Sequence, residues 1–416
     1  MRILQFNVNM DKRDAIGNYM AEKIRVLREL GVEVKLCTEA ENEYNEKGAY
    51  VTNYYKLKKK SVLLSARTLL IYTIKAINNP KRALEIIKRK IEKSDISSIE
   101  ELQDDLNNNF DAYLFEYGGS YYGLFDLIRD VKGCKIVNFH GITPTSGWPL
   151  MLKYALNMAK KQFARNIKCA DIIIVDSLFA ADELVKDYGA EKSKILVHPI
   201  TLQLDRFRQK KENMSVRKKY TLTKRNTLLY VGRFAPNKRI DLLIKALPLI
   251  KREMGDVTLV LVGAYNRQAY KKEHEKIVKL IKNLGVDRDV RVMGSVSDDL
   301  LVSLYQMCDV VVTASEHEFF CVPVIEAYAC GKPVVASNST VLPETVGGGG
   351  LLFEKGDEKE LANQVIKLLK DRKLYAQLSN RAKKIVKSYD AKKNKKFLKG
   401  IVKKIEQYIH ENRIST

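Results

Sequence analysis

The chain has 416 residues, of which 45% are hydrophobic and 30% charged, and this composition excludes both a disordered chain and an integral membrane protein. At this length two or three domains are expected. Lysine and arginine number 73 and aspartate and glutamate 50, so the formal net charge is +23, which points to nucleic acid or an anionic membrane as possible partners.

We predict neither a signal peptide nor a membrane span. No run of about 18 apolar residues occurs, and the chain begins with a strand-like run that lacks a cationic leader and a cleavage site. The six cysteines form no Cys-x-x-Cys pair and no histidine cluster at metal-ligand spacing, so neither a zinc site nor a disulfide is expected. These features favour a cytoplasmic protein with free, buried thiols.

Short β-branched or apolar runs alternate with segments of helical period along the whole chain. The predicted strands are 3–8, 32–37, 112–115, 135–139, 171–175, 195–197, 227–231, 257–262, 290–293, 309–313 and 333–336. Helices are predicted at 238–252 and 357–370, among others. Alternating strands and helices imply parallel sheets, so the predicted fold class is α/β with two Rossmann-like, doubly wound domains. The domain boundary should follow His198-Pro199, where a polar and basic stretch lacks apolar periodicity.

Two segments carry most of the positive charge. Residues 56–93 hold twelve basic and two acidic residues, a net +10, and residues 381–404 hold eleven basic residues and one acidic residue, also a net +10. Leucine and isoleucine recur at helical spacing in the first segment, as in a helix that lies at a membrane interface. The alternative is a solvated helix that packs on its own domain.

Two glutamates, Glu318 and Glu326, have seven residues between them. Pro323 separates a loop from a short predicted helix, 324–330. A helix N-terminus carries about half a positive charge and presents backbone N–H groups, so the amides of residues 320–324 are predicted to seat a diphosphate. We place Glu326 on the first helical turn, within reach of a ribose hydroxyl, and expect Glu318 to face a sugar. The alternative is that neither binds a ligand. Glu326 would then be an ordinary acidic residue of the first helical turn, and Glu318 a solvated loop residue.

A second motif begins at Tyr230, where a predicted strand ends in the sequence Val-Gly-Arg-Phe-Ala-Pro-Asn-Lys. Arg233 and Lys238 flank the start of the next helix. Arginine can chelate a phosphate with two hydrogen bonds and lysine supplies a mobile point charge, so the pair suits a pyrophosphate. Neither half of the chain has a Gly-x-Gly-x-x-Gly turn after its first strand, which argues against an NAD site.

Together these motifs resemble the family 4 glycosyltransferases of the GT-B fold, also called glycosyl transferases group 1. The resemblance runs through Gly-Arg-x₄-Lys at 232–238, the segment 293–300, Leu304-Tyr305, the strand 309–315, the glutamate pair with Pro323, and Gly-Lys-Pro-Val-Val-Ala-Ser at 331–337. It implies two Rossmann-like domains that face each other across a cleft. Residues 1–205 would form the acceptor-side domain, with a helix at 386–416 packed back on it, and residues 206–385 would bind the nucleotide sugar.

The resemblance also assigns roles to single residues. Arg233 and Lys238 would bind the donor diphosphate and Glu326 the ribose, while Glu318 would be a catalytic residue beside the donor sugar. The base would lie near Met293. The remaining donor-binding positions are those with amides at the helix start, Phe320, Cys321 and Val322.

The first half of the chain resembles the family more loosely. Gly17 occupies the place of the family's glycine loop after the first strand, although the usual second glycine is missing. His140, in Phe-His-Gly-Ile-Thr-Pro, looks like the family's histidine that faces the donor sugar, and we name it as the second catalytic residue. The common Glu-Gly-Phe-Gly is here Glu-Phe-Phe-Cys at 318–321, and the usual Gly-Gly is Thr340-Val341, so the donor sugar stays open.

The implied reaction is transfer of a hexose-type sugar from a UDP- or GDP-type nucleotide sugar to a hydroxyl of a saccharide or lipid-linked saccharide, with retention of configuration. No Asp-x-Asp motif is noted beside the predicted strands, so we expect no metal and no other cofactor. The alternatives are another GT-B enzyme, such as a nucleotide-sugar epimerase, and a polyanion-binding protein without activity. Nucleic acid is not expected, because the basic residues are not interleaved with aromatic ones.

The charge pattern adds a prediction about the membrane. If both basic segments lie on the N-terminal domain, they would dock it on the cytoplasmic face of an anionic membrane. The docking candidates are Lys58, Lys59, Lys60, Lys88, Arg89 and Lys90.

Overall fold

The computed structural model describes residues 1–7, 15–38, 50–51, 106, 110–119, 123–208, 214–220, 226–266 and 268–414. The chain divides into two compact units. The N-terminal unit consists of Met1–Pro199 together with Asn394–Thr416, and the C-terminal unit is Ile200–Lys393. Each unit is built on one parallel sheet. None of the described helices combines the length and the apolar character needed to span a bilayer.

The N-terminal unit contains a seven-stranded parallel sheet in the order β3-β2-β1-β4-β5-β6-β7. Its strands are β1 (Arg2–Asn7), β2 (Glu33–Thr38), β3 (Tyr50–Val51), β4 (Ala112–Tyr117), β5 (Cys134–Phe139), β6 (Ile172–Val175) and β7 (Ile195–Val197). Its described α-helices are α1 (Ala15–Glu29), α2 (Leu150–Asn166), α3 (Leu178–Tyr188) and, at the end of the chain, α13 (Asn394–Ile414). A 3-10 helix, Gly123–Arg129, follows β4.

The last helix completes the core of the N-terminal unit. Leu398, Ile401 and Ile405 of α13 recur at a spacing of three and four residues, which puts them on one helical face. All three are buried in a cluster with residues of α1 and the sheet, including Ile24 and Ile3. The apolar stripe of α13 is therefore internal, and its lysines lie on the opposite side.

The C-terminal unit contains a six-stranded parallel sheet in the order β10-β9-β8-β11-β12-β13. Its strands are β8 (Asn226–Val231), β9 (Val257–Val262), β10 (Val290–Gly294), β11 (Val310–Thr313), β12 (Val334–Ser337) and β13 (Gly350–Phe353). Its described α-helices are α4 (Asp205–Arg208), α5 (Met214–Lys219), α6 (Ile240–Met254), α7 (Gln268–Asn283), α8 (Asp298–Met307), α9 (Val322–Ala329), α10 (Leu342–Val346), α11 (Glu358–Lys370) and α12 (Arg372–Ile385).

The α/β fold class is confirmed, and all eleven predicted runs form parallel strands. Strands such as β4 and β9 are buried along their whole length, as expected where helices cover both faces of a parallel sheet. The sequence analysis missed β13, because it begins in a glycine run. A Cβ at Gly350 would overlap the carbonyl oxygen of Val334 on β12, so glycine is what lets the two strands pair.

Candidate active site

The candidate site of the C-terminal unit lies where the strand order of its sheet reverses. β8 and β11 are neighbours, but the chain continues from β8 to β9 on one side and from β11 to β12 on the other. Ligands of doubly wound sheets bind outside the carboxyl ends of strands at such a switch point. The turn that follows β8 and the loop that follows β11 both lie at this point, and they carry five of the predicted site residues.

Glycines make the turn after β8 possible. The N–H of Gly232 donates to the carbonyl of Val262, at the end of β9, over 2.9 Å. A Cβ at Gly263, where φ is +147°, would overlap the carbonyl oxygen of Gly232. The two backbones can approach this closely at the ends of β8 and β9 because neither glycine places a side chain between them.

Lys238 and Glu318 form an ion pair, and their side chains are only 12% and 13% exposed. One further contact joins the turn after β8 to the loop after β11: the side-chain amide of Asn237 donates to the carbonyl of His317 over 3.1 Å. A second contact ties that loop to the segment after β12, where the N–H of Glu318 donates to the hydroxyl of Thr340 over 3.0 Å. The sequence analysis expected Glu318 to face a sugar, and in the structure its carboxylate instead contacts the predicted phosphate ligand Lys238.

Arg233 lies on the other side of the turn and is exposed. Its backbone carbonyl accepts a hydrogen bond from the hydroxyl of Tyr230 over 3.1 Å, and its guanidinium donates to the hydroxyl of Tyr270 on α7 over 3.3 Å. Met293, the predicted base-pocket residue, is half-buried near the carboxyl end of β10.

The helix start after the loop differs from the prediction in two ways. Helix α9 begins at Val322, so Pro323 lies inside its first turn and not ahead of it. The N–H of Val324 donates to the carbonyl of Cys321 over 3.1 Å, which removes it from the amides expected to face a diphosphate. Cys321 itself has φ +64° and ψ +66°, in the left-handed region that non-glycine residues rarely adopt. Phe320 is buried, and its carbonyl accepts from the Thr345 hydroxyl over 2.7 Å.

Glu326 lies two residues further into α9 than predicted, just past the first turn, because the helix starts at Val322 and not at residue 324. Its side chain is buried, and its Oε2 accepts a hydrogen bond from the hydroxyl of Tyr305 on α8 over 2.8 Å. Burial raises the pKa of Glu326, while the Tyr305 hydrogen bond and the charge of Arg206 act in the opposite direction. The sequence analysis quoted Tyr305 only as part of a motif and missed this contact.

Two of the predicted site residues, Gly17 and His140, belong to the N-terminal unit. Gly17, expected in a loop, lies in the first turn of α1 and is buried. His140 directly follows β5 and is also buried. Its two ring nitrogens contact carboxylates, Nδ1 with Asp176 at 2.9 Å and Nε2 with Glu116 at 3.0 Å. The sequence held a signal for these partners, since Glu116 interrupts an apolar strand and Asp176 directly follows one.

Within the described residues, no group of three or more histidine, cysteine, aspartate or glutamate side chains is arranged to hold a metal ion. The sequence analysis overlooked one Asp-x-Asp sequence, 287–289, which directly precedes β10 and so lies at the amino end of a strand. Asp289 there is buried and pairs with Lys251 of α6. The six predicted docking residues, Lys58, Lys59, Lys60, Lys88, Arg89 and Lys90, lie outside the described residues.

Comparison with known proteins agrees with this architecture. Residues 213–385 match the family model described as Glycosyl transferases group 1. The chain is 27% identical to the O-antigen chain mannosyltransferase B of Escherichia coli over 57% of this chain and 61% of that protein. It is 30% identical to a D-inositol 3-phosphate glycosyltransferase of Corynebacterium jeikeium over 49% of this chain and 50% of that protein. The chain thus spans about half to three-fifths of the length of these relatives.

Solved structures resemble the chain over nearly its whole length. The sucrose-phosphate synthase of Thermosynechococcus elongatus has a TM-score of 0.73 at 17% identity, covering 98% of this chain and 99% of that one. The Anabaena protein HepE in complex with UDP has a TM-score of 0.69 at 18% identity, covering 97% of this chain and 100% of that one. At these identities the similarity establishes the fold.

Proposed function

We propose that the chain is a hexosyltransferase, since residues 213–385 match the family model of glycosyl transferases group 1. The donor is a nucleoside-diphosphate sugar of the UDP or GDP type, and the acceptor is a hydroxyl of a saccharide or a lipid-linked saccharide. Two of the relatives are named as a mannosyltransferase and a D-inositol 3-phosphate glycosyltransferase, which agrees with a sugar donor.

The observation that carries this proposal is the ion pair of Lys238 and Glu318 at the switch point of the sheet. It joins the turn after β8, which also holds Arg233, to the loop after β11. That loop leads through the left-handed residue Cys321 into α9, which carries the buried Glu326. A diphosphate with its ribose and sugar needs this combination of cations, helix amides and carboxylates.

The reaction proposed is transfer with retention and without a metal ion. As the nucleoside diphosphate departs it gains negative charge, which Arg233, Lys238 and the N–H of Val322, the first amide of α9, stabilise by their fixed positions. Lys238 must exchange its contact with Glu318 for a phosphate oxygen when the donor binds, and the released carboxylate can then accept from hydroxyls of the donor sugar. Glu326 accepts from the ribose.

A transfer assay tests the proposal against its alternatives. The protein is incubated with UDP-, GDP- and ADP-sugars and a mixture of saccharide acceptors, and the products are identified by mass spectrometry. A glycosylated acceptor together with a free nucleoside diphosphate supports the proposal. An altered nucleotide sugar without transfer would identify an epimerase, and no turnover of any nucleotide sugar would contradict enzymatic activity on this substrate class.

We further propose that the acceptor is carried on an anionic membrane. Helix α13 places exposed lysines on the N-terminal unit, and its apolar face is already used in the core. These lysines are Lys395, Lys396, Lys399, Lys403 and Lys404. Basic residues near an anionic bilayer surface contribute about 1 kcal/mol each at low salt. Lys395 also lies 3.4 Å from Glu29 of α1, so it contributes less than the others.

Vesicle binding tests the membrane proposal. Wild type should sediment with phosphatidylglycerol vesicles, and sedimentation should fall with salt because exposed charges are screened over about 8 Å at physiological ionic strength. Replacing Lys396, Lys399 and Lys403 with glutamine should weaken it. The matched control removes equal charge from the other unit, at the exposed residues Lys271, Lys272 and Lys279 of α7. Equal losses in both triple variants would point to net charge alone and contradict a docking face on α13.

A further inference from the structure

A cluster of four charged side chains lies buried in the N-terminal unit, where α1 packs on the sheet. It consists of Lys23, Glu116, His140 and Asp176, and none of their side chains is more than 3% exposed. Lys23 Nζ lies 2.6 Å from Glu116 Oε1. Two cations and two anions make the cluster neutral, which is how an interior accommodates charges that each cost several kcal/mol to bury alone.

The contacts of His140 define its protonation state. Nδ1 lies 2.9 Å from Asp176 Oδ2 and Nε2 lies 3.0 Å from Glu116 Oε2. An ionised carboxylate can only accept hydrogen bonds, whereas a neutral imidazole has one nitrogen that donates and one that accepts. Both carboxylate contacts are hydrogen bonds only if both ring nitrogens carry protons. Nε2 also lies 3.3 Å from Asn138 Nδ2, which could donate to a neutral ring, but a neutral ring would leave the shorter contact between Nε2 and Glu116 without a proton. The two carboxylate contacts therefore favour the positively charged imidazolium.

The groups around the cluster hold Glu116 and the ring of His140 in place. Glu116 also accepts from the side-chain amides of Asn138 on β5, over 2.8 Å, and Gln5 on β1, over 3.2 Å. From α1, the ring of Tyr19 packs edge-on against His140 with centroids 6.1 Å apart. A Cβ at Gly118 would lie 3.2 Å from the Cβ of His140, so a larger residue at position 118 would push His140 out of place.

The electrostatics agree with the geometry. Burial disfavours a charged imidazole, but Asp176 and Glu116 outweigh it and raise the pKa of His140 to about 9. Lys23 and His140 in turn hold the pKa of Glu116 below its usual range although it is buried. His198 of the same unit lies near Tyr19, and among the described residues no carboxylate is within hydrogen-bond distance of it. It bonds to Asn394 Oδ1 over 2.9 Å, and burial lowers its pKa to about 4.

We propose that Asp176 and Glu116 are positioning residues that hold His140 as a permanent imidazolium, so that it serves the reaction as a fixed positive charge and never as a general base. The part of this inference that concerns the reaction rests on the proposed transferase function. The part that concerns the proton can be measured without any substrate.

Nuclear magnetic resonance of ¹⁵N-labelled histidine gives the direct test. The chain has five histidines, and a His140→Gln variant assigns the signals of His140. In wild type both ring nitrogens of His140 should stay protonated from about pH 6 to pH 8, whereas His198 should be neutral throughout. Loss of a proton from wild-type His140 near the ordinary value of about 6.5 would overturn the proposal, and this result needs no variant to fold.

Variants then identify the positioning residue. Asp176→Asn removes one charge and should lower the midpoint of His140 by at least about one pH unit, and Asp176→Glu should restore most of the shift. Asp182→Asn, at an exposed position of α3, is the matched control and should leave the midpoint unchanged. An unaltered midpoint in Asp176→Asn would contradict the role given to Asp176.

The rate of transfer supplies a second readout. In wild type, the titration of His140 should cause no change in kcat/KM between about pH 6 and 8. The Asp176→Asn variant should lose activity as pH rises through the lowered titration midpoint of its His140. A wild-type rate that rises as His140 loses its proton would identify a general base and contradict the proposal. If no nucleotide sugar is turned over, the transferase function fails while the nuclear magnetic resonance result stands.

Discussion

The hydroxyl of Tyr305 makes the hydrogen bond that orients Glu326, and its removal has two separable consequences. Both side chains are buried, and the contact is 2.8 Å long. Tyr305→Phe deletes one oxygen and leaves the ring in place. A hydrogen bond to a charged group contributes about 1.5–3 kcal/mol, and one between neutral groups about 0.5–1.5 kcal/mol. We expect the variant to lose about 2 kcal/mol in the free energy of unfolding.

Tyr328 provides a matched control for this substitution. It is equally buried in the same unit, but its hydroxyl donates to the backbone carbonyl of Val346 over 2.7 Å. Tyr328→Phe should therefore cost about 1 kcal/mol. Urea unfolding compares the two losses.

Titration calorimetry with UDP and GDP separates orientation from stability. If Glu326 binds the ribose, Tyr305→Phe should weaken binding of the preferred nucleotide about tenfold, which corresponds to roughly 1.4 kcal/mol. Tyr328→Phe should bind like wild type at a temperature where both variants are folded. Unchanged affinity in Tyr305→Phe would refute the assignment of Glu326, and equal weakening in both variants would attribute the effect to stability.

Three further predictions concern protons, the ion pair and metal ions. The free energy of unfolding should be greatest near pH 6.5. The contribution of His140, whose pKa in the folded protein is about 9, is complete below about pH 6.5 and is lost as pH rises through 9. The contribution of His198, whose pKa in the folded protein is about 4, is present above about pH 6.5 and is lost as pH falls toward 4. Urea unfolding midpoints that stay constant from about pH 5 to 9 would contradict both contributions. Glu318→Gln should strengthen nucleoside-diphosphate binding, because it removes the carboxylate paired with Lys238, whereas Lys238→Ala should weaken it; calorimetry that gives the reverse order would exclude Lys238 as a phosphate ligand. Transfer should persist in EDTA, since side chains and amides stabilise the leaving group, and a strict requirement for added Mg²⁺ or Mn²⁺ would contradict that mechanism.

The strands could be predicted from sequence because burial on both faces of a parallel sheet imposes continuous apolar runs. Those runs located β1, β2 and β4 to β12. β13 was missed because glycine, which its close approach to β12 requires, has low strand propensity. The start of α9 was misplaced because proline is tolerated within the first turn of a helix as well as before it.

The contacts of the site were less predictable, since they join residues that are distant in sequence. Lys23 and Glu116 are 93 positions apart, and Lys238 and Glu318 are 80. Local periodicity carries no information about which distant residues pair. The motif analysis found Glu318 and Lys238 as separate ligands, but their pairing follows from strand order, which brings the turns after β8 and β11 to the same edge.

The position of α13 has a consequence for synthesis on the ribosome. The C-terminal unit is one continuous stretch, Ile200–Lys393, whereas the N-terminal unit needs Asn394–Thr416. Translation completes the residues of the second unit before it supplies Leu398, Ile401 and Ile405 to the core of the first. Although domains generally fold from the N-terminus onward during translation, here the unit that is translated first is the last to obtain its full core. A nascent chain that stalls after residue 393 would therefore expose apolar surface on α1 to chaperones.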